Sequence, residues 1–380
     1  SIARRASSAS RFQHEIRRIA LDRASQRGRR AADRRRYFRE KATVLSKGPL
    51  SISPWVRSGR TLGYRSGSTR MGSMKSIQTH ACGVSGCVRE IQVLGTLLRA
   101  GLQAIEPLTE VYKVDMSDVA GLMKIVRSLR GNKLGMLSLS SSLSFQATSF
   151  ADELGPSAER TSCVNMLMST SAGIFGHDIH YDTWQDRLAV IAPPRSTALI
   201  LGTGPAAVAA VAACRQLDFQ LIGITTRSWI STEKLHDSPL ADRFRQMGAL
   251  PVLWPMSREC SASSRFSQQM RLQFGELASS AQALIQTIAV SPSSEDARLL
   301  ASVIPWTQTR QDAVVCDLIY GASTSPFLAE AQRRGLTGIG GIEILTMRGL
   351  RIIETWTGQS PPRQLIHAAA LDACARLSDE

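Results

Sequence analysis

The chain has 380 residues, 43% of them apolar and 20% charged, which supplies a sizeable core and excludes wholesale disorder. That length is two to three domains' worth. The formal charge of +15 suggests a nucleic-acid binder until it is divided along the chain. Residues 1–75 hold 20 Arg and Lys against 4 Asp and Glu, while the remaining residues hold 26 against 27. The basicity belongs to an N-terminal extension on a neutral body.

The extension carries Arg17-Arg18, Arg29-Arg30 and Arg34-Arg35-Arg36, and the apolar spacing of Phe12, Ile16 and Ile19 predicts a helix over about 12–42. A Ser/Gly/Arg-rich linker composition follows from Ser46 to Ser76. Three readings stay open for residues 1–76. They are a solvated, partly disordered arm, an electrostatic arm that attracts nucleic acid without sequence preference, and a targeting peptide. The four acidic residues count against targeting. The chain opens on Ser, as a processed chain or a piece of a longer one does.

Seven dispersed cysteines argue for a reducing intracellular compartment, cytoplasmic or nuclear, and against a disulfide framework. Cys82 and Cys87 stand near His80, but no second pair of ligands lies at finger spacing, so no metal is expected. Ser196–Cys214 carries no charge over 19 residues, yet Gly202, Gly204 and Pro205 interrupt it. It reads as a buried strand, a tight turn and an Ala-rich helix, not as a membrane span.

From about Leu94 the pattern is α/β. An extended segment is expected at Ala104–Val114, an amphipathic helix at Met116–Leu129 and a strand at Gly135–Ser140. A largely helical stretch at Ala147–Cys163 precedes a strand near Gly173–Gly176 and a helix from Tyr181 to Val190. Ala192-Pro193-Pro194-Arg195 then marks a domain boundary.

The strongest chemical signal follows. The apolar strand Ala198–Leu201 runs into Gly202-Thr203-Gly204-Pro205-Ala206-Ala207 and an Ala-rich helix to about Gln216. The first glycine permits the tight turn, the second lets a pyrophosphate approach the backbone, and the helix N-terminus offers free N–H groups. A second strand, Gln220–Thr225, ends at Thr226-Arg227-Ser228. An acidic residue at that strand end suits the ribose hydroxyls of NAD, whereas Arg227 and Ser228 suit a 2′-phosphate and hence NADP. The cofactor contacts expected are Gly202, Gly204, Pro205, Ala206, Arg227 and Ser228.

Several segments resemble the shikimate dehydrogenase family, in particular its fungal arom and quinate-repressor branch. They are the Gly202–Ala207 turn, Thr226-Arg227-Ser228, Asp317-Leu318-Ile319-Tyr320 followed by Ser325-Pro326-Phe327-Leu328, and Gly341–Leu345 with Thr355-Trp356-Thr357-Gly358 and Pro361-Pro362. Ser302-Val303-Ile304-Pro305 resembles the family's Ser-Thr-Ile-Pro strand end, and Cys163-Val164-Asn165 its Ala-Val-Asn strand. The resemblance covers about three quarters of the chain. It implies a two-domain α/β body with a substrate lobe over about 77–190, an NADP-type Rossmann lobe over 191–340, and a helical segment, 341–380, packing back on the first lobe. It also implies hydride transfer between NADPH and the 3-keto group of dehydroshikimate, assisted by a Lys/Asp pair.

That pair is missing. Ser142 falls on the Lys position and His180 on the Asp position, and a slip of one residue offers only Ser141 or Leu143. The paired Ser motif is unrecognisable, leaving Ser85 and Arg89 as polar candidates, and Arg348 replaces a Gln. Asn165 and Tyr320 keep their types and, with Arg348, are the expected substrate contacts; a guanidinium fork suits a carboxylate ligand. His177, Asp178, His180 and Asp182 form a polar cluster at a strand end, read either as acid–base or metal chemistry or as loop chemistry in a decayed pocket. The leading expectation is a non-catalytic regulatory or ligand-sensing homologue, similar to the quinate repressor. Its partners would be a small hydroxy-acid such as quinate or shikimate and a protein such as a transcriptional activator. The alternative is an active NADP-dependent shikimate or quinate dehydrogenase. A protein working on nucleic acid through its basic arm is compatible with either.

Overall fold

Two six-stranded sheets, each packed on both faces along its central strands, set the architecture. The computed structural model describes residues 81–377 apart from 117, 194, 256–264 and 322, and those residues belong to one compact unit. The basic arm, with the helix expected at 12–42, lies outside the described residues, as does His80.

The first sheet holds β1 (Ala81–Val84), β2 (Glu110–Lys113), β3 (Met136–Ser138), β4 (Glu153–Leu154), β5 (Met166–Thr170) and β6 (Gly173–His177). Their order is β2-β1-β3-β5-β6-β4, with β5 antiparallel to both neighbours and the other pairs parallel. Its helices are α1 (Val88–Ile105), α2 (Val119–Arg130), α3 (Pro156–Thr161) and α4 (Ile179–Ile191). Asp118 caps α2 by accepting from Gly121 N–H at 2.7 Å, which satisfies one of the helix's free donors.

Two expectations in this lobe give way. Ala104–Val114 is not extended throughout, because the buried stripe of α1 carries the helix to Ile105, and Pro107 stops it. Ala147–Cys163 is not one helix. Gly155-Pro156 breaks it into a 3-10 turn at Gln146–Phe150, the short β4 and α3, and β4 is drawn into the sheet beside β6.

The second sheet is wholly parallel: β7 (Thr197–Leu201), β8 (Leu221–Thr225), β9 (Leu250–Pro251), β10 (Ala283–Gln286), β11 (Val314–Asp317) and β12 (Thr337–Ile339). Its order, β12-β11-β10-β7-β8-β9, is the dinucleotide-binding arrangement, with the reversal of strand order between β7 and β10. Alternation along β7 explains the layers. Ala198 and Ile200 face α5 (Pro205–Gln216), while Leu199 and Leu201 face α8 (Arg265–Ser280) through Phe274 and Leu277. The remaining helices of this lobe are α6 (Thr232–His236), α7 (Pro239–Met247), α9 (Glu295–Ser302) and α10 (Pro326–Arg333).

Ser302–Pro305, expected at a strand end, instead closes α9. Ser294 caps that helix through Ala297 N–H, and Ala297, Leu300 and Ala301 bury at helical spacing. The strand that ends near the inter-lobe cavity is β10, followed by Thr287 and Ile288.

The chain finishes with α11 (Gly341–Thr357) and α12 (Arg363–Arg376). Leu345, Ile352, Ile353, Trp356 and Ile366 from these helices share one core with Cys82, Val84, Met136, Met166 and Phe175 of the first sheet. The two lobes are also joined by α4, whose Tyr181, Trp184 and Leu188 pack on the alanines of α5. No described helix is long and apolar enough to cross a membrane.

Candidate functional site

The carboxyl ends of both sheets meet at a cavity of about 190 Å³. The first lobe contributes Cys87, Glu90, Ser141 and His180; the second contributes Ala206, Thr287 and Tyr320; α11 contributes Arg348.

The dinucleotide turn is built as its sequence demands. Gly202 has φ +115°, and a Cβ there would stand 2.3 Å from Thr287 Oγ1. Thr287 itself donates to the Leu201 carbonyl at 2.8 Å, so the turn has no room to yield. Gly204 is the N-cap of α5, and no atom lies within 4 Å of where its Cβ would be. No side chain caps α5, so its first-turn N–H groups face open space beside Gly204, the arrangement that cradles a pyrophosphate. Pro205 occupies the first helical position without loss of a hydrogen bond, and Ala206 reaches the cavity. Arg227 and Ser228 lie exposed after β8; the Arg227 guanidinium pairs with Asp296 at 2.5 Å.

A polar knot holds the neighbouring strand ends. Asp317 is fully buried and accepts from Ile319 N–H at 2.9 Å, from Gln286 Nε2 at 3.2 Å and from the Ser325 hydroxyl that caps α10. Burial pushes its carboxyl up to about 6, against those hydrogen bonds. This knot places Thr287 and Tyr320 on the cavity wall.

The expected substrate contacts divide. Tyr320 lines the cavity, its phenol pushed above its ordinary range by burial, and its carbonyl accepts from Arg89 Nη1 at 3.2 Å. Arg348 also lines it, from the interior of α11, and is only 6% exposed. Its fork is not open to a ligand carboxylate, however. Nη1 donates to Glu90 at 2.7 Å, Nη2 lies 3.4 Å from Ser138 Oγ and 3.3 Å from the Leu139 carbonyl, and Nε is buried without a partner. Asn165 braces the fold and is not among the residues lining the cavity. It donates to Asp178 at 2.5 Å and accepts from Ile179 N–H at 2.8 Å, so both amide atoms hold the start of α4.

The two positions in place of the Lys/Asp pair also separate. Ser142 is exposed on a 3-10 turn, bonded to Ser140 Oγ at 2.9 Å, and its neighbour Ser141 is the residue at the cavity. His180 does face the cavity. Its Nε2 is buried without a partner, and burial first, then the Arg348 charge, hold the imidazole well below its usual pKa, so it is neutral. The polar cluster is not one site. His177 turns to Asp182 at 2.5 Å, whereas Asp178 caps α4, its carboxyl pushed up to about 6 by burial. No group of three metal-ligating side chains forms among the described residues.

Sequence reasoning missed Glu90. Nothing local marks it, because its partner is 258 residues away.

No protein-family profile matches the chain. A shikimate dehydrogenase (NADP(+)) of Chlorobaculum tepidum is 25% identical over 254 residues, 65% of this chain and 80% of the relative. Shikimate 5-dehydrogenase of Thermus thermophilus, solved with NADP(H) and shikimate, superposes with a TM-score of 0.57 at 22% identity, over 77% of this chain and 99% of that one. The fold is that of the shikimate dehydrogenases. A 5-ketofructose reductase of a Gluconobacter strain shares it at a TM-score of 0.59 and 16% identity, over 77% and 97% of the two chains. The shikimate dehydrogenase fold therefore carries more than one activity, and it is the cavity, not the fold, that sets the substrate.

Proposed function

We propose that this chain is a ligand-binding homologue of the shikimate dehydrogenases that takes NADP and a small hydroxy-acid of the shikimate or quinate class but does not turn them over at enzymatic rates. Its role is regulatory or ligand-sensing. The observation that carries this reading is the lining of the cavity. Among the described residues it contains no Lys, and its one carboxylate, Glu90, is already bound to Arg348.

The residues present fit the cofactor. Gly202, Gly204 and the start of α5 would hold the pyrophosphate, and Arg227 a 2′-phosphate. NADP, when bound, supplies or accepts hydride. What the described lining lacks is a protonated group free to give the accompanying proton. A Ser hydroxyl near neutral pH is neither cation nor acid, and His180, held neutral, is a poor acid and is left only the role of a base. Losing general acid–base assistance costs about two to four orders of magnitude in rate.

A second reading, an active NADP-dependent shikimate or quinate dehydrogenase, is favoured by what the curated relatives are named for. Absorbance at the nicotinamide band, with NADP and either shikimate or quinate, separates the two. We expect no ligand-dependent reduction above background, together with a raised melting temperature when NADP is present. Turnover of about 1–1000 per second would establish the second reading instead.

A further inference from the structure

On the other side of α1 from the inter-lobe cavity lies a larger one, of about 340 Å³. Its walls are β2, one face of α1 and the end of α12. Val84, Ile91, Val111, Ala373 and Leu377 make an apolar floor. The charged residues on its lining are all cations: Arg99, Lys113 and Arg376. Asp372 neutralises Arg376, and Arg99 gives one N–H to the Val111 carbonyl at 3.1 Å. Lys113 makes no ion pair or hydrogen bond among the described residues. Glu110, the nearest acidic residue on β2, is held by the Tyr112 hydroxyl and is not on the lining.

Two further features mark a built recess. Gln92 Oε1 lies on the wall, buried and without a partner, an acceptor that awaits a donor. Gly95, in the middle of α1, leaves open space where a side chain would stand, with no atom within 4 Å of its Cβ position. A glycine inside a helix is unfavourable, and this one leaves the α1 wall of the recess without a side chain.

We propose that this cavity is a second ligand site, separate from the dinucleotide cleft, for a small organic anion. The ligand has a flat apolar body, a carboxylate or phosphate that meets Lys113 and Arg99, and a hydroxyl or amine that donates to Gln92. The volume falls in the range of small-molecule sites, and a guanidinium with an ammonium beside an apolar floor suits such a ligand better than a sugar or a polymer.

The site does not depend on the proposed function, and its test reads binding directly. 4-Hydroxybenzoate and phenyl phosphate are titrated into the full chain at low salt by calorimetry. We expect saturable binding of at least one probe, weakened tenfold or more in Lys113→Glu. Gly95→Leu fills the gap without changing charge, so it should abolish binding while the melting temperature holds or rises. His180→Gln, which alters only the inter-lobe cavity, should bind the probe as the parent does. Absence of saturable binding at millimolar probe overturns the site. So does binding that survives Gly95→Leu, or binding lost in His180→Gln.

Discussion

At the scale of single residues, the Arg348–Glu90 pair decides what the cavity can hold. Both side chains are largely buried, at 8% and 15% exposure, so neither charge is strongly screened. Removing one partner of such a pair leaves the other charged and desolvated, which costs about 3–5 kcal/mol, whereas replacing both by apolar residues is often neutral. Glu90→Ala should therefore lower stability sharply. Adding Arg348→Met to it should recover most of the loss, in denaturant unfolding of the single and double variants. A double variant no more stable than Glu90→Ala would show that the pair is not what holds these helices. Arg348 was legible as a departure from the resembled pattern, and its replacement of a Gln suggested an open fork. Its occupation by Glu90 was not legible, because an ion pair across α1 and α11 leaves no local spacing to read. The bracing role of Asn165 is hidden from the sequence for a related reason. Residue type was kept, but which neighbour it serves depends on Asp178 turning inward.

At the scale of elements, the strand–turn–helix of residues 197–216 was readable almost to the residue, since every cue is local: an apolar run, two glycines, a first-turn Pro and an Ala-rich helix. The strand end misassigned to Ser302–Pro305 shows the opposite case. Val303-Ile304 looks like the close of a strand, but the cap at Ser294 had already committed the preceding residues to a helix. The turn yields two expected outcomes. Gly202→Ala forces a side chain into φ +115° and against Thr287, and such strain costs about 1–3 kcal/mol. The variant should melt lower and lose any stabilisation by NADP. Arg227→Ala, exposed and bound among the described residues only to Asp296, should melt as the parent does. It should nonetheless erase the larger thermal shift given by NADP over NAD, because the guanidinium's bond to a 2′-phosphate is charge-assisted. Equal shifts from both dinucleotides in the parent would remove Arg227 from the cofactor site.

At the scale of the whole molecule, three buried groups make stability depend on pH in opposite senses. Asp178 and Asp317 are pushed up to about 6 in the folded chain, against about 3.9 when unfolded. Between those values the folded state binds more protons, so these two groups add stability as pH falls from about 6 to 4 and withdraw it as pH rises. His180 acts the other way. Its imidazole is held well below its usual value by burial and by Arg348, so below about 6.5 the unfolded chain takes the proton and the folded chain does not. Each carboxyl faces hydrogen-bond donors that partly offset its burial: Asn165 and the α4 backbone for Asp178, and Gln286, Ser325 and Ile319 for Asp317. His180→Gln deletes the opposing contribution. Its stability relative to the parent should therefore improve steadily as pH is lowered from 6.5 to about 5, where a His of ordinary pKa is largely protonated. Asp317→Asn removes a gain, so its stability relative to the parent should worsen over pH 6 to about 4. Thermal unfolding of the three proteins across this range checks both signs. A constant difference between His180→Gln and the parent would mean that the imidazole titrates alike in the folded and unfolded chains. His180 would then not be the neutral, desolvated group that the cavity requires.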